Sequence, residues 1–274
     1  MHRLSSTAVL LSAALFIGVP PAGAAQIRVL AGNGIRAALL ELKPSFEKAS
    51  GDTLSIDFST SANLKERIEK GEAFDVAILT DDTMDALVKA GKLSPALTKL
   101  ARVGIGVGYR KGSPKPDVRT AASLKQALLN AKAIAYTANG ASRPAVDRMI
   151  ERLGIVKEMQ AKSHLTGAGA APASVAKGES DVVLTLISEI LPEPGVELAG
   201  PLPSDFQTYA GISVAPSPTA ASSAAAAALI RFLDGSTAAA VYGAKGMEAR
   251  NKTRTTPSIA RAIDGIRNAR TILK

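Results

Sequence analysis

Three times between Gln26 and Leu93 the chain passes from a short apolar run into a segment of helical period. This alternation constrains the fold more than any other feature. "QIRVLAG" (26–32), "TLSIDFS" (53–59) and "FDVAILT" (74–80) read as strands. Ile35, Leu39, Leu42 and Phe46 recur at helical spacing within 35–50, and "SANLKERIEKG" (61–71) and "DDTMDALVKAGKL" (81–93) read as the next two helices. The order β-α-β-α-β-α implies a parallel sheet joined by crossovers. Pro44 should kink the first helix, and Gly51 should end it.

A second series follows. "RVGIGVGYRKG" (102–112), "AIAYT" (133–137) and "DVVLTLISEI" (181–190) read as strands. "TAASLKQALLNA" (120–131), "SRPAVDRMIERLG" (142–154) and "PASVAKGES" (172–180) read as helices. "QTYAGISVAP" (207–216) is a strand, and 222–247 gives two helices broken at Gly235. No repeat period and no long low-complexity linker separates the two series. The expectation is two α/β lobes sharing a hinge near 104–106 and 206–209: residues 26–105, then 106–206, then a return over 207–248.

The two ends read differently. Arg3, the apolar stretch Ala8 to Val19 and the small residues Ala22-Gly23-Ala24 form a secretory signal pattern, with cleavage expected near Ala24 or Ala25. Pro20-Pro21 interrupts the apolar run, which falls short of the roughly 20 residues a membrane span needs. The expected location is the periplasm. Removal of residues 1–24 leaves 32 basic residues against 24 acidic ones, a net charge of +8 that suits an anionic ligand or surface. Residues 249–274 form a basic extension with seven Lys or Arg and one Asp, and "SIARAIDGIRNARTIL" has an amphipathic helical pattern.

Composition removes several chemistries. The chain has no cysteine, so it has neither disulfides nor thiolate sites. It has no tryptophan and only 4% aromatic residues, which disfavours base stacking and a nucleic-acid partner. His164 is the only histidine after signal removal; it sits in the loop-like "AKSHLTG", and no G-x-S-x-G elbow occurs. Asp75 reads as a residue at a strand start, and Asp81-Asp82 as helix N-terminal acids rather than as metal ligands. No metal site, cofactor or catalytic group is expected, and the chain reads as a non-enzyme acting as a monomer.

"AGNG" (31–34), where the first strand meets the first helix, is a G-x-G turn without a third glycine or a P-loop lysine, so it does not read as a nucleotide fingerprint. It joins three similar junctions: Ser59-Thr60-Ser61, Asn139-Gly140-Ala141-Ser142-Arg143, and Thr166-Gly167-Ala168-Gly169. Each can aim free backbone N–H groups at an anion, and such turns gather at the carboxyl ends of strands in open α/β sheets. The candidate ligand-binding residues are therefore Asn33, Gly34, Ser59, Thr60, Ser61, Ser142, Arg143, Gly167 and Ala168.

The run from "ALLELKPSFEKASG" through "FSTSANLKERIEKGEAFDVAIL", with "GESDVVLTLISEI" and "GVELAGPLP" later, resembles the periplasmic molybdate-binding proteins of ABC importers over about residues 26–248. The resemblance implies a two-lobed type II binding-protein fold. It implies an oxyanion held by two Ser hydroxyls, second-lobe amides and a Tyr, and a membrane permease as partner. Carried over, the second Ser is Ser61 and the first falls on Gly34. The amides fall near Ser142 and Ala168, and the Tyr position falls near Leu186. Two hydroxyl donors are thus missing, each worth about 1.5–3 kcal/mol to a buried anion. Two ligands stay open: a molybdate-like oxyanion, or an organic di- or tricarboxylate clamped by Arg143. An exported hydrolase or isomerase on this scaffold is a remote third reading, with only His164 and scattered carboxylates to activate it.

Overall fold

The computed structural model describes residues 24–250. The signal-peptide reading and the basic helix expected near the C-terminus lie outside the described residues.

The first α/β series folds as its pattern dictates. Strand β1 (Gln26–Gly32) lies between β2 (Thr53–Ser59) and β3 (Val76–Thr80), parallel to both. Helices α1 (Arg36–Ser50), α2 (Ser61–Glu69) and α3 (Asp81–Lys89) make the crossovers. A 3-10 turn at Asn33–Ile35 joins β1 to α1, and α1 runs through Pro44 as one helix. β3 is nearly all apolar because both of its faces are covered. Val76 and Ile78 enter the main core with Leu39, Leu42 and Phe46 of α1, whereas Ala77 and Leu79 pack with Leu64, Met84 and Leu87 of α2 and α3.

Strand β4 (Thr98–Arg110) then crosses the molecule. Its first half pairs antiparallel with β9 (Tyr209–Pro216), and its second half with β7 (Val182–Leu186) and β8 (Val196–Pro201). β5 (Ile134–Thr137) lies parallel to β7 and to β6 (Ser163–Thr166), while β10 (Met247–Ala249) adds to the first half of β4. The path β2-β1-β3-β9-β4-β7-β5-β6 is therefore one curled sheet, folded into two lobes that share β4. The Gln207 side chain ties the second crossing to the first, accepting from Ile105 N at 3.0 Å and donating to Ile105 O at 2.9 Å.

Helices α4 (Ala121–Asn130), α5 (Arg143–Leu153), α6 (Val156–Lys162) and α7 (Ala171–Ala176) cover the second lobe, and α9 (Ser223–Leu233) and α10 (Ser236–Ala244) return to the first. This is the α/β, two-lobed type II binding-protein fold that the family resemblance implies.

Three local expectations need correction. The "AKSHLTG" stretch is not a loop: Ser163–Thr166 is edge strand β6, preceded by α6, and His164 Nδ1 lies 2.9 Å from Ser180 Oγ. The apolar run 181–190 is not one strand. β7 stops at Leu186 and the chain turns into the short helix α8 (Ile187–Ile190). β10 was not foreseen, because three residues carry too little periodicity to read.

Asp75, just before β3, is buried and accepts hydrogen bonds from Arg28 N and Ala221 N, both at 2.8 Å. It pins the start of the central strand to β1 and to the segment leading into α9. Asp75→Ala leaves both N–H groups without their charged acceptor, and the expected loss is about 2–4 kcal/mol of unfolding free energy, measured by chemical denaturation.

Candidate functional site

The carboxyl ends of β1, β2, β3, β5 and β7 converge on one cleft between the lobes, the position the fold favours for a ligand. Its innermost part is a cavity of about 30 Å³, lined by Asn33, Gly34, Thr60, Ser61, Thr80, Thr137, Gly140, Leu186, Glu189 and neighbours. An outer chamber of about 490 Å³ shares Ser61, Thr80, Gly140, Ala141 and Leu186 with it and carries Asp81, Asp82 and Arg148. A rear cavity of about 360 Å³ lies behind Asn33 and Glu189, with Arg36, Ala168, Gly169 and Glu193 also in its wall.

The polar groups of the inner cavity differ in how free they are. Thr60 is the N-cap of α2, and its side chain accepts from Asn63 N at 3.2 Å. Ser61 Oγ accepts from Thr80 N at 3.1 Å, and its proton remains for an acceptor in the cleft. Asn33 is buried, and its Nδ2 has no hydrogen-bond partner. An unmet buried donor costs about 1–3 kcal/mol, a cost that an acceptor entering the cavity would offset.

Glu189 introduces a carboxyl among these donors. It sits on α8, which exists because β7 ends at Leu186. Gly106 of β4 permits the close approach, since a Cβ there would lie 2.8 Å from Ile187 Cγ1. Part of the residue's surface stays accessible through the cavities it lines, but protein encloses the carboxyl. That desolvation pushes its pKa above the ordinary range, and a hydrogen bond from the Thr185 hydroxyl pulls the other way. No salt bridge reaches Glu189 among the described residues.

The cleft's other wall is apolar. A Cβ on Gly34 would lie 2.7 Å from Leu186 Cδ1, so these two residues fit only together. They are the two positions where the family resemblance calls for hydroxyl donors. Ser188 Oγ donates to Gly34 O at 2.6 Å and Asn139 Nδ2 to Asn63 Oδ1 at 2.7 Å, joining the two sides of the cleft. In the outer chamber, Asp81 accepts from Ser213 Oγ at 2.6 Å and is ion-paired with Arg250, whereas Arg148 is exposed and makes no salt bridge among those found in the described residues.

Of the residues selected from sequence, Asn33, Gly34, Thr60 and Ser61 meet in the inner cavity and Ala168 lines the rear one. Ser59, Ser142, Arg143 and Gly167 line none of these three cavities. Ser59 Oγ accepts from Asn63 Nδ2 at 3.2 Å, and Ser142 is buried at the start of α5. Arg143 is held by Asp147 at 2.7 Å and lies over the Tyr136 ring at 4.8 Å, so it is not presented to the cleft. Glu189 and Arg148 were missed. The available signal for Glu189 was a single acid inside the otherwise apolar "LTLISEI".

Fold and cleft together define the class: a two-lobed extracellular-type solute-binding protein. The chain belongs to the family described as bacterial extracellular solute-binding protein, whose model matches residues 27–248. Among solved structures it is similar to the periplasmic molybdate-binding protein of Azotobacter vinelandii, at a TM-score of 0.70 and 17% identity, covering 82% of this chain and 100% of that one. It is similar to the sulfate-binding protein SubI of Mycobacterium tuberculosis H37Rv, at a TM-score of 0.67 and 16% identity over 83% and 88% of the two chains.

A curated relative named aconitate isomerase, from a Pseudomonas species, is 29% identical over 249 residues, which is 86% of this chain and 94% of that protein. That finding overturns the expectation that the chain is a non-enzyme. The expectation rested on the lack of a nucleophile and of a paired histidine; it overlooked the enclosed carboxyl of Glu189, which a proton-transfer reaction can use without either.

The Gly34–Leu186 contact is directly testable. Gly34→Ser is expected to cost about 1–3 kcal/mol through overpacking. In a Leu186→Ala background the same substitution should cost much less, and a double-mutant cycle on denaturation midpoints reads the difference.

Proposed function

We propose that the chain is an exported, periplasmic protein that binds a small unsaturated di- or tricarboxylate in the interlobe cleft and isomerises it by moving a proton between two carbons. The observation that carries this reading is the furnishing of the inner cavity. An enclosed carboxyl faces the same space as an unpartnered amide donor, a free serine proton and the N-terminal end of α2. The relative named aconitate isomerase supports the substrate class.

The binding half follows from the donors. Asn33 Nδ2, Ser61 Oγ and the backbone N–H groups at the start of α2 can each bond a carboxylate oxygen, aided by the positive end of the helix. The apolar Leu186, Ile78 and Ile212 face the hydrocarbon part of such a ligand. Arg148, at the edge of the outer chamber, suits a second carboxylate. A fully inorganic oxyanion has no use for the apolar wall and meets only one of the two expected serines. In this reading the lobes are residues 26–105 with 207–248, and 106–206, turning about 104–106 and 206–209.

The chemical half needs donors as well. Removing a proton from a CH₂ group flanked by a double bond and a carboxylate places charge on the carboxylate oxygens. Fixed N–H groups aimed at those oxygens stabilise that charge more than the ground state. Delivery of the bound anion to a membrane permease is a second reading, favoured by membership of a solute-binding family.

Purified protein mixed with trans-aconitate is expected to produce the cis isomer, followed by proton NMR; binding without turnover would leave only the delivery reading. Asn33→Asp places a carboxylate where the ligand needs a donor. It is expected to weaken binding of the same acid at least tenfold in calorimetry, since a hydrogen bond to a charged group is worth about 1.5–3 kcal/mol.

A further inference from the structure

The carboxyl on α8 occupies a position that binding alone does not explain. An anion site gains nothing from an acid in its wall, because a carboxylate there repels the ligand. Yet Glu189 lines the inner cavity, is not neutralised by any salt bridge among the described residues, and is oriented by the hydroxyl of Thr185 near the end of β7. It also lines the rear cavity, so one side of this residue faces the ligand space and the other faces a separate space. Asp81 and Asp82 are the other acids of the cleft, and they lie in the outer chamber, with Asp81 committed to Ser213 and Arg250.

We infer that Glu189 is the catalytic residue that carries the proton, with Thr185 as the positioning residue that aims its carboxyl; this assignment rests on the isomerase reading above. The step balances without any other reagent. The Glu189 carboxylate takes a proton from the substrate CH₂, and the C–H electron pair becomes the new C=C π bond. The old π pair shifts to the far alkene carbon, which receives the proton back from the Glu189 carboxylic acid. Bonds broken and formed are one C–H each, the double bond moves by one carbon, and the protein returns to its starting state. A single group on one face of the substrate suffices, so no histidine partner is needed.

The environment fits both halves of that cycle. Enclosure raises the basicity of the carboxylate above that of an ordinary glutamate, which helps it take a proton from carbon, and the same group returns a proton readily. The charged groups that face it are few. Arg36 and Glu193 share the rear cavity with it. On the strands packed against α8, Glu197 of β8 accepts from the Tyr109 hydroxyl of β4 at 2.7 Å. The rear cavity gives the protonated carboxyl a path for exchange with water while ligand fills the front.

The test uses the full protein with trans-aconitate in D₂O, read by proton NMR for isomerisation and for deuterium entering the CH₂ group. Glu189→Gln keeps the shape and removes the base. Both signals are expected to fall by about 10²–10⁴-fold, with binding of the acid retained in calorimetry. Because the raised pKa means that ionising Glu189 costs the folded state, Glu189→Gln should be at least as stable as the parent near pH 8, so lost activity would not be lost folding. Thr185→Val removes a hydrogen bond to the carboxylate. It should therefore move the acid limb of kcat/KM to higher pH, with Thr185→Ser restoring it; a substrate ionisation cannot respond in that way. Parent turnover with Glu189→Gln within tenfold of it overturns the assignment while the isomerase reading stands. An acid limb that Thr185→Val leaves in place overturns the positioning role. Neither isomerisation nor exchange by the parent protein overturns both readings together.

Discussion

Everything in the cleft is positioned by the pairing of β4 with two different sets of strands. Thr98 to Gly104 belongs to the ladder with β9, and Ile105 to Tyr109 to the ladder with β7. The strand is buried without interruption from Val103 to Tyr109 and again at Leu100 and Ala101, so neither half can be released without exposing apolar surface. Two parallel-stranded layers therefore present their carboxyl ends to each other, and the turns that follow those strands become opposite walls. Gly106 adds the second consequence: α8 can press against β4 only because no side chain stands there, and α8 carries Glu189.

The electrostatic state of the site follows from what this packing leaves unpaired. Most polar groups near the cleft are committed. Thr60 caps a helix, Arg143 pairs with Asp147, and Asp81 pairs with Ser213 and Arg250. Asn33 Nδ2 and the Ser61 proton are not. Donors left free in an enclosed space bind an acceptor more strongly than the same groups in water, because the protein has already met the cost of ordering and drying them. An enclosed carboxyl beside them is costly for the same reason. A cost of that kind adds nothing to stability, and it is what the proposed proton-transfer reading draws on.

The fold was legible because its signal is repeated. Each of the first three strands is a short apolar run followed by an amphipathic helix, and no single error in a helix end alters the order. The site was legible where it is made of backbone: the turns at 32–34 and 60–61 are recognisable from glycine, serine and threonine next to a helix start. It was illegible where a side chain's direction decides. Arg143 and Arg148 are five residues apart on one helix, and the sequence offers no way to see that Asp147 and Tyr136 hold the first while the second borders the cleft. Glu189 was hidden by a period error. Read as a strand through Ile190, "DVVLTLISEI" gives its acid no special place; ended at Leu186, the same residues turn the acid into the ligand cavity.

On the proposed reading, the Gly34–Leu186 pair makes the cleft better suited to a carbon-chain acid than to a tetrahedral oxyanion. With a hydroxyl at each position the cleft would offer donors all round, as a tetrahedral oxyanion needs. Losing either hydroxyl alone would weaken that site and leave a gap. Losing both at once lets Leu186 fill the space over Gly34, since its Cδ1 stands where a side chain at 34 would begin. The result is an inner cavity with donors on one side and hydrocarbon on the other. That asymmetry matches a molecule that is itself divided into carboxylates and an apolar carbon chain. In the proposed isomerisation the proton comes from the carbon part, and α8, which begins immediately after Leu186, places the acid of Glu189 in the cavity wall.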